Sequence, residues 1–184
     1  MKRLHREWRR RTHRRIALLL DGVGTPVNVG SIVRLAAAYG VEHLWLAGAT
    51  ASPLSAGARK TGLGSERYLR WTEVPTGAEG VAAARAAGFT VVGVELAEGA
   101  VPLHELALPD DVCVAVGHED HGLSKACLAA CDVVAYLPLV GKVGSLNVAQ
   151  ATGIALYELR RQDWTAPLPG TVAPPEPRAH TPPQ

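Results

Sequence analysis

Three stretches of the sequence bring together residue types capable of chemistry. The first, residues 21–34, reads Asp-Gly-Val-Gly-Thr-Pro-Val-Asn-Val-Gly-Ser-Ile-Val-Arg. Its glycines invite a nucleotide-binding reading, but the third glycine of G-x-G-x-x-G would fall at Val27, and the chain has no phosphate loop of the form G-x-x-x-x-G-K-S/T. A Rossmann-like oxidoreductase is disfavoured on the same residues. What remains is Asn28 with Arg34, six positions apart, or about 1.7 helical turns. Arg34 thus reaches back toward its helix start only by its length. A guanidinium offers a bidentate fork to phosphate or carboxylate; on its own, Arg34 is an ordinary surface arginine.

The second stretch, residues 117–124, is Gly-His-Glu-Asp-His-Gly-Leu-Ser. Glycines at both ends permit sharp turns and close approach of backbone amides to a ligand. His118, Glu119, Asp120 and His121 are consecutive, whereas a metal needs ligands converging from separate directions, so no metal is expected. Glu119 instead suits a role in accepting hydrogen bonds and organising the loop. The third stretch, residues 137–148, places Ser145 and Asn147 at the opening of a helix behind a glycine-flanked loop. Both are favoured helix caps; equally, free amides and two polar side chains there could form a ligand wall.

Regular elements must carry these stretches. Residues 16–20 form an apolar run closed by Asp-Gly, which reads as a buried strand. Apolar residues at helical spacing predict a helix over 27–39, stopped by Gly40. Strands follow at 43–47 and 67–71, with a glycine-containing loop at 57–64 between them. A helix over 79–87, a strand over 89–96, strands at 112–116 and 133–137, and a closing helix over 146–161 complete the pattern. Ser124 is placed to cap a helix running to about residue 130. Strands alternating with helices predict an α/β fold, a parallel sheet with helices on both faces. Such sheets bind ligands beyond the carboxyl ends of their strands, where all three stretches fall.

Composition sets the outer bounds. The 184 residues suit one domain with an ordinary core, and 47% are hydrophobic, with a single Phe and a single Met. No run approaches the roughly 18 apolar residues of a membrane span. The run at 16–20 is too short for a signal-peptide core, and its reading as the first strand sets a transit peptide aside. Three cysteines, Cys113, Cys127 and Cys131, form an odd set without C-x-x-C spacing, which favours a reducing, cytoplasmic home. Cys127 and Cys131 share a helix face and read as small buried hydrophobes rather than metal ligands.

Net charge is +2, but residues 1–15 hold eight bases against the single acid Glu7, while the remainder is acidic on balance. The chain therefore divides into a basic N-terminal arm (1–15), an α/β domain (16–164), and a tail (165–184) rich in proline and expected to be disordered. A basic arm suggests a polyanionic partner, or simply a solvated terminus that aids solubility.

Taken together, the three stretches resemble the signature set of the SPOUT superfamily, specifically TrmH-type tRNA/rRNA ribose 2′-O-methyltransferases. The resemblance covers about residues 18–159 and rests on Asn28-x-Gly-Ser-x-x-Arg34, Gly117-x-Glu-x-x-Gly-Leu-Ser124 and Leu137-Pro…Gly141…Ser145-Leu-Asn-Val148. It implies a C-terminal deep trefoil knot, otherwise nearly absent from proteins, a homodimer, and S-adenosyl-L-methionine as cofactor. By position the cofactor would meet Val94, Glu95, Gly117, Glu119, Gly122, Leu137, Leu139, Ser145, Leu146 and Asn147. Arg34 would be the key catalytic residue, with Asn28, Glu119, Ser145 and Asn147 completing the set. The family pattern has Arg34 help deprotonate the ribose hydroxyl; a free guanidinium with a pKa above about 12 is a poor base, so the alternative is that Arg34 orients a phosphate and stabilises the developing alkoxide. RNA would be held by Arg34 and by Arg9, Arg10, Arg11 and Arg14 of the arm. No metal or membrane is implied.

The chain departs from the family pattern at Val27, often His in relatives, and at His118, usually Asn. The single basic extension, without room for a separate RNA-binding domain, tips the expected substrate toward tRNA over rRNA. The alternative is a non-catalytic RNA-binding protein that retains the fold.

Overall fold

The computed structural model describes residues 2–165, with side chains from residue 5 onward. At its centre lies β1 (Arg15–Asp21), whose residues 16–20 are all fully buried. Their side chains alternate between two cores. Ile16, Leu18 and Leu20 face one layer, and Ala17 and Leu19 face the other. A strand covered on both faces needs this unbroken apolar run.

Around β1 the chain builds β2 (His43–Ala47), β3 (Trp71–Val74), β4 (Thr90–Val94), β5 (Val101–Pro102), β6 (Asp111–Gly117) and β7 (Val133–Tyr136). They form one seven-stranded sheet in the order β3-β2-β1-β6-β4-β7-β5, with every ladder parallel. The late strands are inserted between earlier ones: β6 enters between β1 and β4, and β7 between β4 and β5.

Helices cover both faces, as the alternation predicts. On one side lie α2 (Pro26–Tyr39), α3 (Ala56–Gly62) and α6 (Val148–Thr165), and on the other α4 (Gly77–Ala86) and α5 (Lys125–Ala130). Pro26 opens α2 and Gly40 ends it in the left-handed conformation at φ 66°, a backbone that glycine adopts without strain. Ser124 caps α5 by accepting from the Cys127 amide, as its position predicts. Cys113, Cys127 and Cys131 are free thiols. Cys113 and Cys127 are fully buried, and burial pushes the Cys113 thiol up, out of reactive range. Among the described residues no helix is long and apolar enough to cross a membrane.

Several element boundaries differ from the sequence expectation. The loop expected at 57–64 contains α3, because Gly57 and Gly62 serve packing rather than turning. A side chain at Gly57 would press on Pro26, and α3 lies so close to α2 that one at Gly30 would collide with the Ala58 carbonyl and Thr61. The strand expected at 67–71 begins at Trp71 instead. Gly64 at φ 80° starts a 3-10 turn over Ser65–Tyr68, and β3 pairs only with β2 from Leu44 opposite Trp71. The strand expected over 89–96 is confined to β4, since the Phe89 amide closes the end of α4 on Ala84.

The expected closing helix starts two residues late, at Val148, because Asn147 caps it. The basic arm, expected over 1–15, is helix α1 (Lys2–Arg10) followed by a turn, and Arg15 already belongs to β1. The proline-rich tail falls outside the described residues beyond Thr165.

A buried arginine ties the ends together. Arg160 donates to the carbonyls of Arg14, Tyr39 and Gly40 and pairs with Asp163 at 3.2 Å. Asp163 in turn accepts from the His13 and Arg14 amides. Trp8 packs on Trp164 with ring centroids 5.3 Å apart, and the Trp164 indole donates to Thr12. The N-terminal segment is thereby fixed to the last turn of α6.

Candidate active site

The carboxyl ends of β1, β6, β4 and β7 meet along one edge of the sheet, with Asp21 opposite Gly117 in the register. From that edge rises the loop after β6. Its ends close on each other through the paired backbone hydrogen bonds of His118 and Gly122, 2.9 Å each. Gly117 and Gly122 are required here. A side chain at Gly117 would collide with the Gly122 backbone, and Gly122, at φ 67°, sits where a side chain would strike the Glu95 carboxylate. Two strand-end carboxylates hold the loop from below: Glu95 accepts from the Leu123 amide and buried Asp21 from the Ser124 amide.

Glu119 links this loop to the other two. Its Oε1 accepts from the Asn28 side-chain amide at 2.7 Å and from the Thr25 backbone amide at 3.2 Å. Asn28 Oδ1 then accepts from Asn147 Nδ2 at 3.0 Å, and Asn147 Oδ1 accepts from the Ala149 amide at 2.9 Å. One polar relay thus runs from the β6 loop through the start of α2 to the cap of α6. Partial burial raises the Glu119 carboxyl, but the bonds from Asn28 and Thr25 outweigh it and hold the group below the usual glutamate range.

Beside the relay lies a cavity of about 630 Å³, within the range of small-molecule sites. Val94, Glu95, Gly117, Glu119, Gly122, Leu137, Leu139, Ser145 and Leu146 all line it. Of the expected cofactor residues only Asn147 is absent from the lining; its amide is spent on Asn28 and on the cap of α6. Sequence reasoning did not single out the histidine pair of this wall, His118 and His121, as a unit. Their rings stack with centroids 4.9 Å apart, and His118 Nδ1 accepts from the Asp120 amide. Asp21 was also missed, although an acid ending an apolar strand was the available signal. Among the described residues no group of three or more His, Cys, Asp or Glu is placed to hold a metal.

Arg34 lies elsewhere. It lines a second groove, between α2, α3 and α6, with Lys60, Thr61, Leu63, Asn147, Gln150, Ile154 and Tyr157. Leu146 lines both spaces, and the α6 cap with its relay stands between them. Among the described residues the Arg34 side chain makes no hydrogen bond or ion pair, so its donors are available to a ligand. In the arm, Arg9 and Arg10 are exposed. Arg11 is half-buried, donating to the Trp164 carbonyl and lying 5.0 Å over the Trp8 ring, and Arg14 is also half-buried. Arg11 thus ties the arm to the end of α6, whereas Arg14 Nε and Nη1 are buried with no hydrogen-bond partner among the described residues.

Known proteins are similar to this chain in sequence and fold. Residues 15–157 match the SpoU rRNA Methylase family. The chain is 35% identical over 148 residues to the 23S rRNA (guanosine-2′-O-)-methyltransferase RlmB of Acinetobacter baylyi, a match covering 80% of this chain and 60% of that protein. Among solved structures it is similar to the SpoU methyltransferase AviRb of Streptomyces viridochromogenes in complex with AdoMet (TM-score 0.74, 32% identity, 83% of this chain and 59% of that one). It is also similar to the A. aeolicus TrmH/SpoU tRNA modifying enzyme (TM-score 0.73, 29% identity, 88% and 82%). The chain spans about three fifths of the length of the first curated relatives it matches.

Proposed function

We propose, since the chain belongs to the SpoU rRNA methylase family of TrmH-type proteins, that it methylates a ribose 2′-hydroxyl of structured RNA with S-adenosyl-L-methionine as donor. The observation that carries this reading is the Glu119–Asn28–Asn147 relay, which makes one site of three loops distant in sequence. The cavity beside it fits the cofactor by its chemistry. Leu137, Leu139 and Leu146 offer an apolar wall to a purine, and Glu95 and Glu119 place carboxylates in the lining that suit a ligand carrying positive charge. When bound, that cofactor supplies a methyl group already activated on a sulfonium.

The chain's own task is then alignment and activation of the hydroxyl. Glu119 and Gly122 set the shape of the β6 loop, and Ser145 with Leu146 closes the cavity from the α6 side. Arg34 would grip a phosphate beside the target ribose and stabilise the developing alkoxide, the hydroxyl proton passing to solvent. Asn28 and Asn147 act as positioning residues between the two spaces.

A homodimer belongs to the same proposal. The groove around Arg34 is bordered by apolar side chains left in solvent, Leu63, Ile154 and Tyr157, and a second copy of the chain would cover them. A deep trefoil knot is likewise proposed, supported by the insertion of β6 and β7 between earlier strands and by the return of α6 onto α2. The domain limits, with a basic arm before the α/β unit and a proline-rich tail after it, complete the reading, as does a cytoplasmic location. For the substrate, several curated relatives carry 23S rRNA names and others tRNA/rRNA names, which gives the expected preference for tRNA no support.

The test is transfer of labelled methyl from S-adenosyl-L-methionine to bulk tRNA and to protein-free ribosomal RNA, with 2′-deoxy oligonucleotides as the control. Arg34→Ala is expected to lose transfer by at least a hundredfold while binding the cofactor normally by calorimetry. Unchanged turnover would remove Arg34 from the reaction, and failure of the parent protein to bind the cofactor would restore the non-catalytic alternative.

A further inference from the structure

The segment joining β2 to β3 reaches the Arg34 groove only through Lys60, Thr61 and Leu63, and the surface it presents beyond them is unusual. Residues 59–70 hold four bases, Arg59, Lys60, Arg67 and Arg70, and one acid, Glu66. Glu66 turns inward, with its Oε2 buried 3.8 Å from where a side chain at Gly62 would begin. Arg70 belongs to the opposite end of the sheet, where its charge acts on Glu42 and His43. That leaves Arg59, Lys60 and Arg67, all exposed, and none has an ion pair or side-chain hydrogen bond among the described residues. An exposed cation without an intramolecular acceptor keeps its donors for a partner.

An aromatic ring accompanies them. Tyr68 is 70% exposed, and the Arg67 guanidinium lies 5.0 Å from its ring centroid. A tyrosine left in water beside a guanidinium has the components of a base-stacking platform. The platform is held in place, since the 3-10 turn packs on both α2 and α3. It is also continuous with the groove of Arg34, for Lys60, Thr61 and Leu63 line that groove.

We propose that Arg59, Lys60, Arg67 and Tyr68 form a second RNA-binding surface, in which the cations track the phosphate backbone leading to Arg34 and Tyr68 stacks on an unpaired base. The partner is single-stranded or looped RNA rather than a duplex, because an exposed ring gains from a splayed-out base and a paired one is out of its reach. The inference rests on the RNA reading above but concerns binding, which is measured apart from methyl transfer.

The experiment compares the full chain with the triple variant Arg59→Ala/Lys60→Ala/Arg67→Ala and with Tyr68→Ala and Tyr68→Phe. Binding to bulk tRNA and protein-free ribosomal RNA is measured across a salt series, alongside the methyl-transfer assay. Each cation that contacts a phosphate contributes roughly one unit to the slope of log K against log salt. The triple variant is therefore expected to lose about two to three units of slope, with cofactor binding and circular dichroism unchanged. Tyr68→Ala is expected to weaken binding roughly tenfold at fixed salt while keeping the slope, and Tyr68→Phe to restore it. Equal slopes for parent and triple variant overturn the surface, whatever the methyl assay gives. A lower slope in the triple variant, with a parent protein that transfers no methyl, supports the surface and overturns the enzymatic reading instead. Tyr68→Phe behaving like Tyr68→Ala overturns the stacking role.

Discussion

Glu119 lines the cavity and at the same time ties the β6 loop to the start of α2. Its Oε1 holds the Asn28 amide and the Thr25 backbone, and through Asn28 it fixes the residue that caps α6. Because these bonds favour the charged form, the carboxyl lies below its ordinary value of 4.5 in the folded chain. A depressed folded value means stability that is fully present above the ordinary range and is lost as pH falls through the lowered one. Glu119→Gln should therefore be less stable than the parent by about 1–2 kcal/mol at pH 7, and the gap should close on acidification below pH 4.5. Urea titrations of both proteins at several pH values would read this directly; a gap independent of pH would mean the charge contributes nothing. The role was partly legible in the sequence. Glu119 stood out between two glycines, and Asn28 and Asn147 stood out as polar residues at helix starts. Their connection was not legible, because hydrogen bonds between residues about a hundred positions apart leave no periodic trace.

At the scale of elements, close packing decides what a glycine means. Gly30 on α2 lets α3 approach until Ala58 and Thr61 touch the bare backbone. Gly30→Ala should cost about 1–3 kcal/mol as α3 is pushed away. Gly144→Ala should be neutral within about 0.5 kcal/mol, since open space surrounds that position. Thermal unfolding of the two variants separates the cases, and equal losses would show that α3 yields without cost. The same packing hid α3 from the sequence. Glycine weakens a helix, so a short segment with Gly57 and Gly62 reads as loop until its neighbours are known. Strongly periodic elements such as α2, and unbroken apolar ones such as β1 and β6, were legible because burial alone dictates their pattern. The Arg160–Asp163 clamp was illegible for the opposite reason: nothing in a helix sequence distinguishes a buried charged pair from a solvated one.

The whole molecule presents two unlike surfaces. One holds the cavity along the strand ends; the other exposes Ile154 and Tyr157 on α6 beside Leu63. If a second copy covers that apolar face, Ile154→Asp should put a charge into the contact and yield a protein sedimenting near the 19.4 kDa of one chain, with the parent near twice that mass. A parent protein that already sediments as one chain at micromolar concentration would refute the proposed dimer. Transfer activity in the Ile154→Asp variant would further show whether one chain suffices, since within a chain Arg34 and the cavity open on different sides of the α6 cap.

The placement of β6 in the middle of the sheet also governs the order in which the molecule is made. During synthesis β1 and β2 emerge first and are able to pair, but the other edge of β1 waits for β6, nearly a hundred residues downstream, to supply Val112, Val114 and Val116 against Ile16, Leu18 and Leu20. Until then the nascent chain carries an unpaired apolar strand edge, a template for association with other chains. Closing so long a loop is intrinsically slow. The chain is thus most vulnerable while still half-made, and a fragment ending before residue 111 should aggregate rather than fold, however well its own helices and turns are specified.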